Sequence, residues 1–205
     1  MIIVELLTSP ASIKDMEHFA ALATLTCHAN TEREFIPHEV LGRIIKAGHE
    51  SILEHINLTY SIKGLSRACL QELARHRHIS LSVESTRHTL KKNINDPNWV
   101  RVNLASIANP AYCASALTTK DVLLAIIKQC GDISNDELKY FIPEFWPTNL
   151  MLTSNVRELR HILDLRTTPA ALKEFRGLAR AMYETVPDQF KYLLKDCVHE
   201  ETKHD

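Results

Sequence analysis

Two hydrophobic periods alternate along this chain. Ile2 to Leu7 is a short apolar run interrupted by Glu5 and reads as a strand. From about Ile13 to Cys27, the residues Ile13, Met16, Ala20, Ala23 and Cys27 form one stripe at helical spacing. Val40, Leu41, Ile44 and Ile45 mark a second helix, from about His38 to Ala47, with Gly48 as its stop. The period then becomes two: Ile56, Leu58, Tyr60 and Ile62 alternate with Asn57, Thr59, Ser61 and Lys63. That is the pattern of a half-buried strand, most simply antiparallel, punctuated by Gly64. Helical spacing resumes through Cys69, Leu70 and Leu73 and predicts a helix from Leu65 to about Arg77.

Further on, Asn93 to Asn98 is polar, contains Pro97 and reads as a loop, with a strand expected over Trp99 to Leu104. Val122, Leu123, Ile126 and Ile127 predict a helix from about Thr119 to Cys130, and a short helix is expected over Asn135 to Tyr140, before Pro143 and Pro147. Leu150 to Thr153 suits a strand. Ser154 is a good N-cap for a helix reaching about Arg166. Thr168 and Pro169 are expected to cap and start a long helix to about Val186. The polar tail from about His199 is expected to fray. With no repeat and no low-complexity linker, the pattern predicts an α+β fold: one domain over residues 1–205, a mainly antiparallel sheet flanked by helices, and a flexible tail at about 199–205.

Composition adds boundaries. The chain has 205 residues, 45% apolar and 24% charged, the balance of an ordinary soluble globular protein. Its formal net charge of -1 provides no global field for nucleic acid or membrane. Any anion site must therefore be local. No apolar run approaches the roughly 20 residues of a membrane helix, and the first residues lack the basic flank of a signal peptide. The five cysteines, Cys27, Cys69, Cys113, Cys130 and Cys197, contain no CxxC pair. They read as free thiols of a cytoplasmic protein, most of them small core residues.

The chemistry concentrates between Glu72 and Arg87, where Arg75, His76, Arg77, His78, Ser80, Ser82, Glu84, Ser85 and Thr86 bring cations and hydroxyls together. Guanidinium groups grip phosphate through paired donors, and hydroxyls complete such a shell. On a continuous helix Arg75 and Arg77 would point about 200° apart, so they share one phosphate only if the helix ends there. The alternative is a solvated helix end whose cations offset the dipole. His49 and His55, with Glu50 and Glu54 between them, lack the i, i+4 histidine spacing of a metal helix, and no metal site is expected. Arg157 and His161 share a helical face, Val156, Leu159 and Leu163 read as core, and Arg160 and Asp164 as an outer ion pair. GxSxG, P-loop and GxGxxG patterns are absent, and no cysteine sits in a local sequence signature of a Cys-His nucleophile.

Arg75-His76-Arg77, seven further residues and then Ser85 resemble the signature of the flavin-dependent thymidylate synthases. Gln71 to Ala74 before it and Glu84 to Arg87 after it agree. So do His49 to Ser51, Glu54 and His55 upstream, and Leu138 to Pro143 and Asn155 to Arg166 downstream. The resemblance covers about residues 48–185. It implies a homotetramer with active sites shared between subunits, FAD as cofactor, dUMP as substrate, and NADPH and 5,10-methylenetetrahydrofolate as co-substrates. No enzyme cysteine attacks the uracil in that chemistry.

By position, the resemblance assigns Ser51, Arg75, His76, Arg77, Val83, Asn155, Arg157 and His161 to FAD. To dUMP it assigns Glu72, Leu73, Ala74, Arg75, Glu84, Ser85, Thr86, Arg87, Lys139 and Arg166. Arg166 takes the catalytic position, a fixed cation that stabilises negative charge developing on the uracil. Val83 stands where many members carry an acid or amide, Lys139 where Arg is usual, His88 where Tyr is common, and His161 where some have Asn. Two other classes stay open on these residues. One is a flavin- or nucleotide-binding protein without catalysis. The other is a nucleic-acid module, which the near-neutral charge disfavours.

Overall fold

A computed structural model describes residues 2–29, 32–96 and 110–200, with side chains from 118 onward in the last stretch. The chain forms two compact units. One contains Ile3, Ile62–Ala74 and Ser82–Met151; the other contains Val4–Ser61, Arg75–Leu81 and the chain from Leu152 onward. The strands are β1 (Ile3–Leu6), β2 (Asn57–Ser66), β3 (Ile79–Val83) and β4 (Pro147–Asn155), in the sheet order β1-β2-β4-β3. The helices are α1 (Pro10–Cys27), α2 (Pro37–Lys46), α3 (Arg67–Leu73), α4 (Thr86–Asn95), α5 (Pro110–Cys130), α6 (Asn135–Leu138), α7 (Val156–Arg166) and α8 (Lys173–Glu184). A 3-10 helix spans Glu50–His55 and another Lys139–Phe141.

Pairing in the sheet is antiparallel. The Thr59 hydroxyl meets that of Thr153 at 3.0 Å, and three residues away in opposite directions the Val156 N–H donates to the Ile56 carbonyl at 2.8 Å. The alternation read from the sequence is the buried face of β2: Leu58, Tyr60 and Ile62 are almost wholly inaccessible. In the unit that contains α7 and α8, Val156, Leu159, Ile162 and Leu163 are buried, as are Phe175, Leu178, Ala179 and Met182. Each such large side chain contributes roughly 1.5–3 kcal/mol on burial. In the other unit Leu90, Ile94, Leu123, Leu138 and Trp146 form the core cluster.

Several boundaries differ from the sequence pattern, each for a local reason. Helix α1 starts earlier, at Pro10, because the Ser9 hydroxyl accepts from the Ser12 N–H and proline suits the first turn. Its buried face is Ile13, Glu17, Ala20, Ala21 and Thr24, rotated from the expected stripe; Cys27 is exposed. Glu17 belongs on that face because the Tyr192 hydroxyl donates to its carboxylate.

Gly64 does not end β2. It adopts φ +75° and gives its N–H to Asn149 Oδ1 at 3.0 Å, and the strand runs on to Ser66. The Ser66 hydroxyl accepts from Cys69 N, so α3 begins only at Arg67. It ends at Leu73, four residues short of expectation. The cap of α7 is Asn155, not Ser154, whose hydroxyl donates to the Asn155 carbonyl instead.

Thr168 and Pro169 start no helix. The Thr167 and Thr168 hydroxyls donate backward to the carbonyls of Leu163 and Leu165, prolonging the end of α7, and α8 waits until Lys173. Strand β3 and helix α4 were not legible as elements. Asn93 to Asn95 is the last turn of α4, not loop. The strand expected at Trp99 to Leu104 lies outside the described residues.

His199 is tied down: its N–H donates to Thr167 Oγ1, its ring meets Asp164, and its carbonyl accepts from Arg180. Residues 201–205 of the expected tail lie outside the described residues. Among the described residues Cys69 is the buried thiol, while Cys27 and Cys130 are exposed. No described helix is long and apolar enough to cross a membrane.

Candidate active site

The segment after α3 decides where its cations point. Ala74 closes the helix with its N–H on the Leu70 carbonyl at 2.9 Å, and Arg75, His76 and Arg77 then lie in a turn leading to β3. Freed from the helical period, neighbouring side chains diverge. His76 is 7% exposed, whereas Arg75 and Arg77 are exposed and make no hydrogen bond or ion pair among the described residues. The tripeptide is not a helix terminus with all its cations in solvent.

Helix α7 supplies what His76 meets. Its Nδ1 lies 3.2 Å from Glu158 Oε1, and Arg166 Nε donates to its Nε2 at 3.2 Å. The ring stands edge-on to His161 at 5.8 Å and to Phe175 at 5.9 Å. Phe175 in turn carries the Arg166 guanidinium over its face, 4.7 Å from the centroid. Burial lowers the His76 pKa first, and the Arg166 charge lowers it further; Glu158 opposes both without reversing the direction. Neutral His76 is therefore the form that sits between these two groups.

Along the same helix, Asn155, Arg157 and His161 line a cavity of about 620 Å³. Glu50 and Glu54 come to it from the 3-10 helix that also carries exposed Ser51, and His78 from the turn before β3. The Asn155 side chain accepts from the Glu158 N–H at 2.8 Å, which starts the helix and orients the wall. Arg157 pairs with Glu54 at 2.6 Å, both side chains about half exposed, so the pair adds little to stability.

Arg160 does not pair with Asp164 as the helical spacing suggested. Its side chain is 4% exposed and donates to Glu50, to Asp196 and to the Leu193 carbonyl. Asp164 pairs with His199 instead. Cys197 reaches the cavity, but burial pushes its thiol up to about 11, the opposite of an activated nucleophile. Among the described residues no group of His, Cys, Asp and Glu is arranged to hold a metal.

The other unit holds the remaining candidates. Glu84 accepts from Asn93 Nδ2 at one oxygen and from Asn149 Nδ2 at the other, the latter at 2.7 Å. Ser85 is the N-cap of α4 and Thr86 its first residue. Arg87 grips Asp136 through Nε and Nη2 at 2.6 and 2.9 Å. That contact holds the Asp136 carboxyl below the usual range, and the charges of Lys139 and His88 act in the same direction. Lys139 also lies over the Tyr140 ring at 5.6 Å.

Glu72 is half-buried at the end of α3 and Ala74 exposed; Leu73 is fully buried, which leaves only its backbone for a ligand. Val83 is exposed at the end of β3. Sequence reasoning missed Glu158 and the buried role of Arg160. A signal for the first existed: Glu158 is three residues after an Asn cap, a position from which an acid contacts a helix start.

Comparison with known proteins identifies the family. Residues 7–190 match the family described as thymidylate synthase complementing protein. The flavin-dependent thymidylate synthase of Campylobacter jejuni is 38% identical over 183 residues, 85% of each chain. That of Wolinella succinogenes is 40% identical over 171 residues, 80% of this chain and 82% of the relative. A crystal structure of thymidylate synthase X from Helicobacter pylori with FAD and dUMP superposes with a TM-score of 0.82 at 31% identity, covering 98% of this chain and 100% of that one. With the motif, the α+β fold and these relatives in agreement, the chain belongs to the flavin-dependent thymidylate synthase family.

Proposed function

We propose that the chain converts dUMP to dTMP by reductive methylation, with bound FAD, 5,10-methylenetetrahydrofolate as one-carbon donor and NADPH as reductant. The observation that carries this reading is Arg166 held by His76 and Phe175 on the helix that lines the cavity. A guanidinium so restrained is a preorganised cation, already oriented before charge develops on the base. The Cys197 thiol at the cavity, pushed up by burial, fits a reaction that uses no enzyme nucleophile.

The residues present suit a flavin nucleotide. Exposed Arg75 and Arg77 retain their donors for phosphate oxygens. Asn155, Arg157 and His161 offer polar contacts in the cavity, and Ser51, His76 and Val83 are the other positions assigned to FAD. Bound flavin supplies the hydride that completes the methyl group. The protein's part is to orient the ligands and stabilise charge.

For dUMP, Ser85, Thr86 and Arg87 lie at the start of the ten-residue helix α4, where backbone N–H groups and the dipole favour a phosphate. Lys139 acts on the same carboxylate as Arg87, so two cationic side chains are grouped there. Glu72, Leu73, Ala74, Arg75 and Glu84 are the other positions assigned to dUMP by the family resemblance, and Arg166 is the one assigned to act on the uracil. The chain acts as one functional domain, in the cytoplasm, as a homotetramer. The homotetramer is the assembly that the family resemblance implies.

The test is an anaerobic assay of dTMP formation with dUMP, NADPH and methylenetetrahydrofolate omitted in turn from the flavin-loaded protein. Turnover that needs all three is expected. Flavin-loaded protein that makes no dTMP overturns the reading. Arg166→Ala should abolish turnover while flavin stays bound; normal turnover in that variant would remove Arg166 from its role.

A further inference from the structure

We infer that Glu158 is a positioning residue for the reaction: its buried carboxylate keeps the His76 proton on Nδ1, which leaves Nε2 as the acceptor that fixes the Arg166 guanidinium. The inference rests on the proposed role of Arg166. Three residues form a chain, Glu158 to His76 at 3.2 Å and His76 to Arg166 at 3.2 Å. An arginine Nε only donates, so the contact to Nε2 requires a lone pair there. A neutral imidazole then has its single proton on Nδ1, facing a carboxylate oxygen that accepts it.

Moving that proton to Nε2 spoils both contacts at once. Two donors would face each other at Arg166 and two acceptors at Glu158. Glu158 is 8% exposed and His76 7%, so solvent is poorly placed to repair either mismatch. The groups around the ring are Glu158, His161 and Arg166 from α7 and the uncharged Phe175 from α8. Of these, Glu158 alone is an anion and can hold the Nδ1 proton by charge.

The placement of Glu158 is built into the helix start. It is the third residue of α7, and its own N–H is capped by Asn155 Oδ1 at 2.8 Å. An acid there is favoured by the positive end of the helix dipole. From this position a glutamate can reach back to the cap residue in a capping box. Here the carboxylate turns to His76 instead. Asn155 thus fixes the backbone of Glu158, Glu158 fixes the tautomer of His76, and His76 fixes Arg166.

Imidazole nitrogen NMR on the ligand-free protein, with His76→Asn to assign the signals, reads the tautomer directly. A neutral ring with its proton on Nδ1 is expected for the wild type; a proton on Nε2 overturns the inference. Glu158→Leu should move the proton to Nε2 and lower kcat for dTMP formation about 10²-fold, as misorientation of a reacting group does, with a much smaller change in KM for dUMP. Glu158→Gln keeps an oxygen acceptor for Nδ1–H and should retain that tautomer and most of the turnover. Unchanged kcat in Glu158→Leu, or equal losses in both variants, would defeat the proposal. If Glu158→Leu does not fold, the wild-type spectrum together with the spectrum and kcat of Glu158→Gln decides. The spectra need no substrate, so they report on Glu158 even if the role given to Arg166 fails in the Arg166→Ala assay.

Discussion

Arg166 reaches His76 through Nε, not through a terminal nitrogen, at 3.2 Å. That choice of atom leaves the outer edge of the guanidinium uncommitted to His76. Lysine has neither the Nε–H at that position nor a planar group to lie on Phe175. Arg166→Lys should therefore keep the charge yet lose about 10²–10³-fold in kcat. Steady-state kinetics with saturating flavin will show it. A loss below tenfold would mean that charge alone suffices.

Acidification should weaken the fold through His76. Its native pKa is lowered, chiefly by burial and then by Arg166, so below an ordinary value of about 6.5 the unfolded chain takes up a proton that the native state resists. The stabilisation is fully present above that value and is lost as pH falls through the lowered native one. Urea melts in steps from pH 8 to 5 should show stability falling below about 6.5, with a shallower fall in His76→Asn. Parallel curves for the two proteins would refute this.

Arg160 is buried among Glu50, Asp196 and the Leu193 carbonyl. Replacing it by Met leaves two carboxylates without their cation and a carbonyl without its donor. A loss of about 3 kcal/mol is expected, read as a lower urea midpoint with unchanged slope. A stability within 0.5 kcal/mol of wild type, about the range of ordinary surface changes, would place the arginine among ornamental surface pairs.

One amide serves two partners in Asn149, whose Oδ1 accepts from Gly64 and whose Nδ2 donates to Glu84. Asn149→Ala should cost about 2 kcal/mol, because both partners are half-buried or buried and lose a bond. It should also raise the dissociation constant for dUMP by unfastening Glu84. Calorimetric titration with dUMP checks the second part; an unchanged constant would show that Glu84 is held well enough by Asn93.

Local chemistry was legible in the sequence where it depended on neighbours in the chain. The β2 alternation became a buried strand face, and Arg157 and His161 share a cavity as their spacing required. What was not legible depended on distant partners. Periodicity carried α3 through Arg77, because nothing local announces that Ala74 ends it. Arg160 looked like a surface residue, because its acceptors lie 110, 33 and 36 residues away. The apolar faces of β3 and α4 were hidden in a segment conspicuous for its charges. The role of His76 as an acceptor for Arg166 required knowing that residues 90 apart meet.

The end of α3 at Leu73 has an evolutionary consequence. In the turn that follows, His76 is buried while the residues on either side of it are exposed: arginine out, histidine in, arginine out. Adding or deleting one residue between Ala74 and Ile79 would exchange those places and press a guanidinium into the slot shaped for an imidazole. This stretch should tolerate no change of length. Homologous chains would then be expected not to carry gaps here.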